Sequence, residues 1–220
     1  MNKTVRIYGL AANINNAPPV PSDGSTEVWA SNYYRPYYSK LPRFRDTQEW
    51  TRWFNLHSRE YMLKAYPNGY DWYKQWDKPV YLRHAYPDIP NSRKFPRDAI
   101  QDYFGGPQVG SPGRFFTFTG SWLIGLCIAA KDGCIEGFED IKDLKRIEFW
   151  GFRLANKPAK PHECYKFERP GFWYWVDRAR KCGIEVTYQK EIEDLPFEPG
   201  DPATYDGPLY GYGTNAPYEE

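Results

Sequence analysis

Histidine occurs three times in 220 residues, so each position can be weighed separately as a proton carrier. His57 closes the segment TRWFNLH and is followed by Arg59 and Glu60, a setting for a general base or a hydrogen-bond donor. His84 follows KPVYLR beside Arg83 and is a second candidate for the same catalytic role. His162 stands in KPHECY with Glu163 and Cys164, which have metal-ligating chemistry. No second cluster at ligand spacing accompanies it, and a structural zinc is rejected there. Taken singly, His57 or His84 is better accounted for as a structural histidine whose ring is satisfied by its neighbours, and it is their shared place at strand carboxyl ends that suggests a catalytic role.

Two further stretches carry groups suited to anions. RIYGLAANINNAPPVP, residues 6–21, runs from apolar residues through Gly9 into a loop with Asn13, Asn15 and Asn16. Gly9 would let the backbone approach a ligand, and the amides would donate to phosphate and accept from ribose or base edges. The same asparagines also suit a plain turn ahead of Pro18 and Pro19. In TFTGSWLIG, residues 117–125, Thr119, Gly120 and Ser121 open the most apolar helical segment. Free N–H groups and the helix dipole attract an anion at such a start, and an ordinary Ser or Thr cap explains the same residues. The glycine-rich approach over residues 105–113 would allow movement over a ligand.

These groups need elements to hold them. Short runs rich in β-branched or aromatic residues, bounded by turn formers, predict strands over 4–10, 27–32, 51–57, 78–83, 146–152 and 183–188. Helical segments are expected around 58–65, 70–76, 96–104, 120–133 and 170–183, the last with Pro170 near its first turn and Gly183 past its end. Strands alternating with helices predict an α/β fold, a mainly parallel sheet of about six strands with helices on both faces. Ligands bind such a sheet beyond the carboxyl ends of its strands, which places residues 9–16, 31–32 and 56–60 on one edge. From Leu195 the chain is rich in Pro, Gly and Tyr without period, so residues 1–194 read as one domain and 195–220 as a C-terminal arm.

Composition limits the partners. A net charge of +1 with no basic block lacks the footprint of a duplex-binding protein, although nucleic acid remains possible as an enzyme's acceptor. Aromatic residues make up 19 % of the chain, and most lie inside apolar runs, which favours a core of large rings over a stacking surface for bases or sugars. Four cysteines without a C-x-x-C pair, and an N-terminus without an apolar signal region, fit reduced thiols in the cytoplasm. The longest apolar stretch, WLIGLCIAA, is too short to span a bilayer, so no membrane partner is expected.

The succession VRIYGLA, EVWASNYY, DTQEWTRWFNLH, KPVYLR, DIPNSRKFP, TGSWLIGLCIAAKDG, IEFWGF and ERPGFWYWVDRARKCGIEV resembles a group of phage-encoded Rossmann-like proteins. These in turn are similar to the 6-hydroxymethylpterin diphosphokinase-like family and, more distantly, to bacterial sialyltransferases. The resemblance covers most of residues 4–190. It implies a small-molecule nucleotide or nucleotide-sugar ligand held by Gly9 and Asn13, by Asn32 and by Thr119, Gly120 and Ser121. The chain departs from its relatives after IEFWG, where they continue with an acidic residue and this sequence has Phe152 and Arg153. With a guanidinium in place of a carboxylate, either the ligand is more anionic or the chemistry the resemblance implies is lost. The expectation is a transferase that moves a glycosyl or diphosphate group from a nucleotide donor to a hydroxyl, with His57 or His84 as base. The alternative is a non-catalytic phage protein that binds a nucleotide signal or a host partner. No metal is indicated, and no oligomeric state is assigned.

Overall fold

The computed structural model describes residues 2–9, 14, 16–32, 50–65, 67–106, 112–152 and 165–189. Seven strands, β1 (Lys3–Tyr8), β2 (Thr26–Ser31), β3 (Arg52–Asn55), β4 (Val80–Leu82), β5 (Ser92–Lys94), β6 (Leu144–Trp150) and β7 (Glu185–Tyr188), form one sheet. Its order is β5-β4-β3-β2-β1-β6-β7, and every neighbouring pair is parallel. Among the described residues the α-helices are α1 (Arg59–Ala65), α2 (Pro67–Gln75), α3 (Arg97–Tyr103), α4 (Thr119–Lys131) and α5 (Tyr165–Lys181). The expected α/β class is therefore present as an all-parallel, Rossmann-like sheet.

Alternation along the strands sends side chains to two cores. Val5, Ile7, Trp29, Phe54, Tyr81, Ile147 and Phe149 face α3, α4 and α5, while Tyr8, Val28, Ala30, Trp53, Val80 and Leu82 face α1 and α2. Strand order grows outward from β1 to β5 and then jumps back to β6 on the other side of β1. With right-handed crossovers, that reversal of direction is what moves the later helices to the opposite face. Trp29, Trp50, Trp53, Trp122 and Trp175 are all fully buried, so the large rings build the cores.

The expected sheet of about six strands is present with a seventh, Ser92–Lys94, paired with β4 at the edge. This strand is three residues of Ser, Arg and Lys with no apolar side chain, so it carries no hydrophobic period. One helix boundary is corrected. Helix α5 starts at Tyr165, and Pro170 lies inside it rather than in its first turn. A proline near the start of a long helix removes a single i→i−4 bond, which the packing of Phe172, Trp175, Val176 and Ala179 in the core offsets.

Helix α4 is buried on all sides from Thr119 to Ala130. Phe116 lies flat between Trp122 and Trp175, with ring centroids 3.9 and 4.3 Å away. Its neighbour α5 approaches so closely that a methyl group on Gly171 would stand 2.0 Å from Thr117 Oγ1 and 3.1 Å from Thr117 Cβ. Gly171→Ala should therefore lower stability by about 1–3 kcal/mol through overpacking. Adding Thr117→Ala removes the closest atom, so most of the loss should return in a denaturant-unfolding double-mutant cycle. Additive losses in the double variant would show that the two positions do not compete for the same space.

Candidate active site at the carboxyl edge of the sheet

Because all strands run the same way, their carboxyl ends lie along one edge. The end of β1 brings Gly9, β2 brings Ser31 and Asn32, β3 brings Asn55 and His57, and β4 brings Arg83. The amino end of α4 joins them, since Thr119 Oγ1 donates to Asn32 Oδ1 at 2.9 Å. Asn32 holds a left-handed backbone, φ 65°, which an asparagine tolerates better than most residues. Its N–H donates to the Phe54 carbonyl at 2.7 Å, and Ser31 Oγ donates to the Tyr8 carbonyl at 2.9 Å. The turn after β2 is thus tied to both neighbouring strands.

A directional chain of hydrogen bonds continues from Asn32 to His57. Tyr73 Oη, from α2, donates to the Asn32 carbonyl at 3.1 Å, and Asn55 Nδ2 donates to Tyr73 Oη at 3.1 Å. The His57 backbone N–H donates to Asn55 Oδ1 at 3.1 Å, and His57 Nδ1 lies 2.8 Å from the same oxygen. The His57 ring stacks on Tyr61 of α1, with centroids 4.7 Å apart and planes 19° apart. Arg83 Nε donates to the Leu56 carbonyl at 2.7 Å, which places its positive charge beside this turn. Burial, and then the charge of Arg83, lower the His57 pKa from 6.5 to about 4, so the imidazole is neutral at pH 7. Burial pushes the Tyr73 hydroxyl up, and it stays protonated.

The loop that carries Arg83 and His84 is anchored to the same helices. Asp88 accepts from Arg59 Nη2 at 3.1 Å and from Tyr70 Oη at 3.0 Å, and the Arg59 guanidinium lies over the rings of Tyr70 and Tyr86. His84 itself is exposed, with the Tyr86 ring edge-on at 6.3 Å. Between the two histidine candidates, His57 is the one built into a polar network.

Other expected site residues have different surroundings. A methyl group on Gly9 would meet the Gly151 carbonyl oxygen at 2.6 Å, so the close approach at Gly9 is between the chain ends of β1 and β6. On Gly120 it would meet the Phe118 ring at 2.4 Å. Ser121 Oγ donates to the Phe118 carbonyl at 2.6 Å and accepts from the Phe118 N–H at 3.1 Å, closing the first turn of α4. Asn13 and Arg153 lie outside the described residues, as do the His162 cluster and the arm over 195–220. Asn55 and Tyr73 were not anticipated. The Asn55-x-His57 spacing at a strand end puts both side chains on one side and is a readable signal for the first. Tyr73 arrives from a separate helix and leaves no such sign.

Among the described residues, no group of three or more His, Cys, Asp or Glu side chains is placed to hold a metal ion, and no helix is long and apolar enough to cross a membrane. Comparison with family models, curated proteins and solved structures finds no match, so geometry carries the functional reading.

Proposed function

We propose that the protein is a transferase that takes a nucleotide or nucleotide-sugar donor at the carboxyl edge of its sheet. One observation carries the reading: a neutral imidazole, His57, held by Asn55 at the edge where parallel α/β sheets bind ligands. In this reaction an acceptor hydroxyl forms a bond to the transferred glycosyl carbon or phosphorus. The bond to the departing nucleotide phosphate breaks, and the hydroxyl proton passes to His57. Arg83 supplies positive charge beside the imidazole, which suits a ligand that carries phosphate. The resemblance to phage-encoded Rossmann-like proteins supports the same ligand class.

The second reading, a non-catalytic protein that binds a nucleotide signal or a host partner, draws on a different observation. Thr119 and Asn32 are bonded to each other, and the Ser121 hydroxyl closes its own helix turn, so these groups already serve the fold. Mass spectrometry of small molecules released from the purified protein tests the ligand class. A bound nucleotide or nucleotide-sugar is the expected result. Its turnover to free nucleotide when acceptor hydroxyls are supplied selects the transferase. Recovery of no phosphorylated molecule, with no transfer from any supplied nucleotide-sugar, would overturn it.

A further inference from the structure

We infer that Asn55 is a positioning residue that makes Nε2 the basic nitrogen of His57, and that Tyr73 locks Asn55 in the orientation this requires. The inference deepens the transferase reading and rests on it for its catalytic meaning, while its physical content is tested separately.

The positions of the protons follow from the partners of each atom. A backbone N–H can only donate, so the Asn55 atom that meets the His57 N–H at 3.1 Å is the carbonyl oxygen. The other amide atom is then the NH2 group, and it donates to Tyr73 Oη. Tyr73 can accept that bond because its own proton goes to the Asn32 carbonyl. Asn55 is buried and cannot turn over without breaking both contacts. Its oxygen also lies 2.8 Å from His57 Nδ1. A bare Nδ1 would set lone pair against lone pair at that distance, so Nδ1 carries the hydrogen. In a neutral ring the lone pair is then on Nε2, at the ring edge turned away from Asn55. An acceptor hydroxyl must approach from that side. An orienting partner on one ring nitrogen is the arrangement by which a histidine base is held in its working tautomer.

The test uses the full chain with nitrogen-labelled histidine. Long-range proton–nitrogen NMR at neutral pH reads the tautomer of each ring, and a His57→Gln spectrum assigns the His57 signals. The expected wild-type pattern is a protonated Nδ1 and an unprotonated Nε2. Asn55→Leu, which offers no acceptor, should lose that pattern, whereas Asn55→Asp should keep it, since a carboxylate oxygen accepts the same bond. In turnover, Asn55→Leu should lower kcat by about 10²-fold with KM little changed, and Asn55→Asp should recover most of it. If Asn55→Leu does not fold, the wild-type spectrum and Tyr73→Phe decide. Tyr73→Phe should broaden or mix the tautomers. A wild-type ring protonated at Nε2, or a tautomer unchanged in Asn55→Leu, overturns the inference. The expected tautomer in a protein that transfers nothing supports the role of Asn55 and overturns only the transferase reading.

Discussion

Replacing His57 by alanine is expected to lower turnover about 10²–10⁴-fold, the usual contribution of general acid–base catalysis, while ligand affinity changes little. The expectation follows from where the ring stands. It is held by Asn55 and stacked on Tyr61 at the carboxyl edge, and Asn55 is linked through Tyr73 to the Asn32 carbonyl. Steady-state rates together with equilibrium titration of a nucleotide diphosphate separate the two effects. The same measurement on His84→Ala decides between the histidines, since His84 is exposed on the loop beyond β4. Full turnover in a His57→Ala variant that binds normally would remove the imidazole from the chemistry.

Stability should also fall between pH 6.5 and pH 4, by up to about 3 kcal/mol from this one side chain. The folded pKa of His57 is depressed to about 4 by burial and by Arg83, whereas in the unfolded chain it returns to 6.5. Within that window the unfolded state binds the extra proton, so acidification favours unfolding. Above pH 6.5 the contribution is fully present, and it is lost as pH falls. Thermal midpoints of wild type and His57→Gln across pH 4–7 isolate the effect. The wild-type curve should fall more steeply, and parallel curves would show that the folded ring titrates as it does in water.

The sheet was legible where side chains had a reason to alternate. TVRIYGL, EVWASN and RIEFWGF bury one or both faces, and their strands lie where the pattern places them. The edge strand Ser92–Lys94 was not legible, because its identity comes from pairing with β4 rather than from burial. In the candidate site, the topological rule brought His57 and Asn32 to one edge, whereas the start of α4 joins them in the structure through the Thr119–Asn32 bond. The same hydroxyls at 119 and 121 read equally as ligand donors or as caps, and only packing distinguishes those roles: Thr119 bonds Asn32, and Ser121 bonds its own turn. Tyr73 was invisible because its contact with Asn32 spans 41 residues and two elements.

The placement of β6 beside β1 has a consequence during synthesis on the ribosome. Arg6 of β1 pairs with Glu148 of β6 at 2.7 Å across 142 positions of chain. Until that late segment emerges, β1 has β2 on one side and an open edge on the other, and α5, which follows β6, is missing from the core that covers Val5 and Ile7. An apolar open edge recruits other nascent chains. Contacts this distant also slow folding, because the closure entropy of the intervening chain is lost before the pairing compensates for it. The chain should therefore depend most on holdase chaperones over the interval in which β2 to β5 have been made and β6 has not.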